Sequence, residues 1–337
     1  MSVKNVLTPF AKLIPQNSFL NWTGRQTIFP YYHTISNIDL PYISNLYPLK
    51  SVDQFEKEVD YFCRFFEPVP IEEAYFRFTN PSNNIKPAFH LTFDDGLKEM
   101  FTIVGPILEK RGIPATFFLN TAFIGNENLF YRYKVALIID SLKTSNEQTV
   151  QTVKKLLQAS ENWHQDIKAS LLNLSFQDKW VIEQIAAIVG LDFEEWLQKN
   201  KPYMDSDQVR NLIQRGFTIG SHSVDHPRFR NISLDSQRSQ FHNSFEYLEK
   251  QFELRERYFS FPFGDEKVRA EYFDWMNRDA NCKLSFGVSG IKDDYSKNHI
   301  HRIPMDECLS DVEGFIKSEF AYYILKGIVG KNKIKRH

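Results

Sequence analysis

Cysteine is scarce, with three residues in 337, at Cys63, Cys282 and Cys308. They are too few and too scattered for a disulfide framework or a Cys-x-x-Cys metal site. Charge of one sign is equally lacking: 41 Lys and Arg stand against 42 Asp and Glu. A nucleic-acid partner is excluded on that ground, because it would need a dense basic surface. No run approaches the ~18 apolar residues of a membrane span. The opening MSVKNVLTPFAKLIP carries two prolines and no continuous apolar stretch. No secretory signal is read there, and a cytoplasmic location is expected. No internal repeat or low-complexity tract is visible, and oligomeric state leaves no mark.

What is present is ordinary for a globular chain, 42% apolar and 25% charged. The length allows two domains at ~150 residues each, or one α/β barrel of roughly 250 residues with additions. Thirty phenylalanines stand out. They read as core filler rather than as sugar-stacking platforms, since Phe lacks the polar edge that Tyr and Trp offer at wet surfaces.

Residues 1–26 read as an irregular leader. A strand is expected at Thr27–Tyr32, then helices at Val52–Phe66 and Ile71–Phe78, where apolar residues recur at helical spacing. AFHLTF (Ala88–Phe93) reads as a strand broken by Asp94–Asp95–Gly96. A helix follows to Arg111, stopped by Gly112, and then a strand over Ala115–Asn120. Strand, helix and strand with short connections is the signature of a parallel β/α unit. Strand signals vanish over 127–203, where helical periods dominate, and the segment reads as a helical insertion. The β/α rhythm resumes at 204–325, with strands at Phe217–Gly220, Tyr258–Phe261, Leu284–Val288 and His301–Ile303. Residues 326–337 form a basic tail that reads as solvated. The whole is an α/β fold interrupted once.

Two features carry chemistry. Asp94 and Asp95 end a strand just before a glycine, where β/α folds place active sites. The pair is equally readable as a helix N-cap with a first-turn acid. His222 and His226 lie four apart directly after a strand, a spacing that can present two rings to one metal ion. Read alone, they are as readily two loop imidazoles. Taken together, one Asp and two His make a three-ligand site for a borderline metal such as Zn²⁺, with a position open for water. The second carboxylate would then be poised to take that water's proton.

At these residues the sequence resembles the polysaccharide deacetylases, the NodB-homology domain of carbohydrate esterase family four. The carriers are HLTFDDG (His90–Gly96), GIPATFFL (Gly112–Leu119), IGSHSVDHP (Ile219–Pro227) and FSFPFGD (Phe259–Asp265), in the family's order over roughly 27–126 and 203–305. The resemblance implies a distorted parallel β/α barrel, one divalent metal (zinc being usual), and removal of an acetyl group from an N- or O-acetylated saccharide. It makes Asp94 the general base, and Asp95, His222 and His226 the metal ligands. The Phe263 N–H, after Pro262, is implied in the oxyanion site, and Pro262 in the substrate wall. The family's acid is a His near the C-terminus after an apolar residue, which gives His301, with His299 as the neighbouring alternative. His33, after TIFPYY, matches a Tyr-His step of related deacetylases and is expected to line the site.

The match departs at two places. Ser260 stands where the family often has an Arg that orients the base, and Arg257 is not an evident substitute. Asp274–Trp275 has the letters of a later motif but falls inside an expected helix. A catalytically weak carbohydrate-binding barrel, or an amidase acting on a small non-sugar molecule, are the alternative functions.

Overall fold

A computed structural model describes residues 3–336. Eight short strands form one sheet: β1 (Pro30–Tyr32), β2 (Leu91–Phe93), β3 (Ala115–Leu119), β4 (Thr218–Ser221), β5 (Tyr258–Ser260), β6 (Leu284–Gly287), β7 (His299–His301) and β8 (Ile303–Pro304). Their order is β7-β6-β5-β4-β3-β2-β1-β8, and every pairing is parallel. β7 and β8 stand at opposite ends of that order, yet Arg302 alone separates them in sequence. The stretch 299–304 thus leaves β6 and joins β1, and the sheet curls into a nearly closed, distorted parallel β/α barrel.

Side chains of alternate residues point to opposite faces of a strand. One parity fills the barrel. Phe29, Phe118, Tyr258, Phe286 and Ile300 form its apolar part, while Thr92, Asp94, Ser260 and Arg302 form a polar layer above it. The other parity packs under the surrounding helices, where Phe rings follow one another: Tyr32 to Phe93 at 5.5 Å and Phe93 to Phe117 at 5.1 Å between centroids. The abundant Phe is indeed core.

The N-terminal stretch is not irregular. It forms helices Val3–Lys12 and Gln16–Thr23, which pack on helix Val312–Ile328. Ala11, Phe19 and Leu20 are buried there, Phe19 lies 6.2 Å from Phe320, and Lys4 pairs with Glu319. Pro9 lies inside the first helix, and Pro15 is the residue that opens the second. The basic tail is not simply solvated either. Arg336 folds back and is buried against Asp265 and Asp294; His337 lies outside the described residues.

Between β3 and β4, the part of the chain over 131–200 forms five α-helices, from Tyr131–Leu142 to Phe193–Asn200. Ile138, Val153, Leu157, Leu171, Ile182 and Ile185 give them an apolar core that continues onto barrel residues Leu97 and Phe123. Asp274 and Trp275 lie in helix Ala270–Arg278, where Asp274 pairs with Arg278 and Trp275 packs on Phe241. Among the described residues, no helix is long and apolar enough to cross a membrane.

Candidate active site

The acidic doublet follows β2. Asp94 continues the strand and donates its N–H to the Tyr32 carbonyl at 3.0 Å. Asp95 adopts φ 72°, a left-handed conformation unusual for a residue with a Cβ, of the kind that clusters at functional sites. The twist turns the two carboxylates to different partners. Asp94 is clamped by the Arg302 guanidinium, which donates to Oδ1 at 2.9 Å and to Oδ2 at 2.7 Å. Arg302 also donates to Thr92 Oγ1 at 3.0 Å and Ser260 Oγ at 2.7 Å, and it is completely buried. Burial pushes the Asp94 carboxyl up, but Arg302 outweighs it, with His222 adding, and the group stays below its ordinary range. It is an ionised carboxylate.

Asp95 faces the two imidazoles. Its Oδ1 lies 3.5 Å from His222 Nε2 and 3.2 Å from His226 Nε2, and the two Nε2 atoms are 3.1 Å apart. The loop between the rings is not helical: Ser223 and His226 both take positive φ, at 73° and 61°. That turn brings residues four apart to one point. His222 donates its Nδ1–H to the Ser260 carbonyl at 2.8 Å, so its Nε2 carries the lone pair. Burial draws its pKa down to about 4, against the pull of Asp94, so the ring is neutral at pH 7. Tyr133, from the helical segment, donates its hydroxyl to Asp95 Oδ2 at 3.0 Å.

This cluster fits a divalent cation. Tetrahedral bonds of ~2.0–2.1 Å place ligands roughly 3.3 Å apart, close to the three separations observed. Asp95 Oδ1 is buried without a hydrogen-bond partner, which a cation would supply. Asp95, His222 and His226 are all buried, and the hydrogen bonds from Tyr133 and to Ser260 are of the kind that orient metal ligands.

A pocket of about 220 Å³ opens onto these groups, lined also by His33, Tyr47, Phe130, Tyr133 and Phe263. Phe130 and Phe263 lie 4.4 and 4.7 Å from the His226 ring, so the helical segment forms part of the wall. His33 donates its Nδ1–H to Asp306 at 2.5 Å. Burial pulls its pKa down, but Asp306 more than offsets this and raises it to about 9. Asp94, Asp95, His222, His226, His33 and Phe263 are thus brought together.

Other expected residues are not. Pro262 is buried and does not line the pocket, whose wall includes its neighbours Phe261 and Phe263. His301 and His299 have the parity opposite to Arg302 and leave the barrel interior. They join Asp265 and Asp294 in a separate buried cluster, which removes His301 from the position of an acid in this pocket. Arg257 is engaged with Glu249. The guanidinium missing at Ser260 comes from Arg302, which Ser260 itself contacts. Strand alternation was the signal that could have found it: if His301 faces outward, its neighbour faces in.

The polysaccharide deacetylase family model matches residues 82–274. No curated protein matches the chain. Solved structures of similar fold include the Streptococcus pyogenes deacetylase PplD in complex with acetate, at 16% identity and TM-score 0.56, covering 87% of this chain and 97% of that one. IcaB from Ammonifex degensii is similar at 14% identity and TM-score 0.52, over 88% and 96% of the two chains. A de-N-acetylase from Aggregatibacter actinomycetemcomitans aligns at 14% identity and TM-score 0.50, over 85% and 95%. At such identities the likeness is one of fold. The family is generally metal-dependent, in keeping with the buried Asp/His cluster. Because the family match spans more than half of the sequence, the chain belongs to the polysaccharide deacetylases, hydrolases of amide bonds.

Proposed function

We propose that the protein removes the acetyl group from an N-acetylated saccharide, using a divalent metal, zinc by preference, held by Asp95, His222 and His226. The observation that carries this reading is the Arg302-clamped Asp94 beside the three converging donors in one pocket. When bound, the cation supplies Lewis acidity toward the acetyl carbonyl and acidifies water. Asp94 accepts the proton of the attacking water, and Arg302 keeps that carboxylate ionised and aimed. The Phe263 peptide, at φ 60° on the pocket wall, is assigned to the developing oxyanion.

His33 takes the part of the acid. Its Nδ1–H is committed to Asp306, so its Nε2–H is the proton to give to the leaving nitrogen. An amide nitrogen must be protonated before it leaves, and an imidazolium with a pKa of about 9 is charged at neutral pH. That requirement favours the N-acetyl over the O-acetyl substrate. Phe130, Tyr133 and Tyr47 shape the space around the acetamido group.

The test is acetate release from N-acetylhexosamine oligosaccharides, compared with O-acetylated glycans and small cyclic amides. Turnover of the first set, lost in Asp94→Asn with metal content unchanged, is expected. Saccharide binding without acetate release would make this a binding barrel, and cleavage of the cyclic amides alone would replace the substrate class.

A further inference from the structure

The cluster that took His301 from the pocket has no part in the reaction above, and its chemistry is legible atom by atom. His301 donates Nε2–H to Asp294 Oδ2 at 3.0 Å and receives a long 3.3 Å contact from the Ser289 N–H at Nδ1. Its Nδ1 therefore carries the lone pair. His299 has the reverse arrangement: Nδ1–H is held by Ser285 Oγ at 2.8 Å, and Nε2 is buried without an aligned hydrogen bond, 3.3 Å from Asp265 Oδ2. Asp265 Oδ1 is likewise buried and unpartnered, while Oδ2 is taken by Arg336. Two of these lone pairs are unpartnered, the third, on His301 Nδ1, meets only the long Ser289 N–H contact, and all three face one point.

That point is marked by Gly287. A Cβ built on this residue would lie 2.6 Å from His301 Nδ1, 2.7 Å from His299 Nε2 and closer still to Asp265 Oδ1. The absence of a side chain there leaves a cradle of the size of an ion. Shifts of about half an ångström would bring the three donors to the ~2.0–2.2 Å of nitrogen and oxygen ligands on a first-row metal. Charge agrees: Asp265 and Asp294 face one guanidinium, leaving one negative charge uncompensated in a buried place, an arrangement costly without a cation.

We propose that Asp265, His299 and His301 form a second divalent-cation site, of two imidazoles and one carboxylate, suited to a first-row transition metal. Asp294 orients His301 and Ser285 orients His299, as partners behind metal-bound imidazoles do. Arg336 holds Asp265 Oδ2, and Phe273 packs on His299 at 4.9 Å and under Arg336 at 3.7 Å, sealing the site from water. A sealed site of this kind is structural: it pins the loop after β5 to β7.

Metal-stripped protein is titrated with Co²⁺ alone, following heat by calorimetry and the visible ligand-field bands. The full chain is expected to take up two equivalents. The double variant Asp95→Asn/His226→Ala, which lacks the pocket site, is expected to take up one, and its thermal midpoint to rise with Co²⁺. Adding His299→Gln should abolish that remaining uptake. Saturation of the full chain at one equivalent, with none in the double variant, would overturn the proposal; so would two-equivalent uptake unaffected by His299→Gln. The double variant leaves the second site untouched, so a folding defect in His299→Gln does not decide the matter. Acetate release is not the readout, so failure here leaves the deacetylase reading standing.

Discussion

Replacing Arg302 by Met should strike stability and turnover together, by amounts the structure sets. The side chain is fully buried and makes five hydrogen bonds, two of them to Asp94. Met keeps much of the volume and removes the charge, so Asp94 stays in place without its bonded counter-ion. Breaking a buried ion pair from one side costs ~3–5 kcal/mol. Neutralisation sets a similar bound: lifting a carboxyl from ~3.9 to the working pH of ~7 costs about 4 kcal/mol. Urea unfolding at pH 7 should register a loss of this size. Asp94→Asn/Arg302→Met should regain much of it, because no charge is then stranded. For catalysis, a base that is protonated or misaimed forfeits the ~10²–10⁴ that positioned proton transfer contributes. The loss should fall on kcat, with KM and metal content kept, and Arg302→Lys should recover part of it. A Met variant within about threefold of the parent kcat, or destabilised by less than ~1 kcal/mol, would refute the assignment of Arg302 as the residue that orients the base.

Asp306→Asn removes the carboxylate that lifts His33 to about 9. An acid works only while protonated, so the alkaline limb of kcat should move to lower pH in this variant, and His33→Asn should lose ~10²–10⁴ in kcat. Tyr133→Phe deletes one hydrogen bond to Asp95 and should weaken metal affinity ~10-fold or more, read by competition with a chelator. His90, buried between the Val69 carbonyl and Thr116, has its pKa drawn down by burial to about 4. The unfolded chain binds that proton more readily, so stability should decline as pH falls below ~6.5, by about 2 kcal/mol at pH 5. His90→Gln should flatten that slope in denaturant titrations.

The barrel was readable because its strands are short apolar runs broken by glycine and acid at their ends, and because HLTFDDG and IGSHSVDHP carry their metal-binding side chains within single loops. What escaped was non-local. Arg302 finds Asp94 across 208 residues, and His33 finds Asp306 across 273; no local period announces either. His301 was assigned to the acid by its place along the chain, whereas strand alternation sends it outward and Arg302 inward. The first two helices lie in the stretch read as an irregular leader. Their stability comes from packing on helix Val312–Ile328, which no window of the first 26 residues contains.

The six residues from His299 to Pro304 have a consequence for the order in which this molecule can be born. During synthesis the first barrel strand, at Pro30–Tyr32, must wait for its second neighbour until Ile303 and Pro304 have emerged. The same late-arriving hexapeptide delivers the guanidinium for Asp94. Ring closure and competence for chemistry therefore arrive in one event, and a half-made chain exposes an open sheet edge but no armed hydrolase.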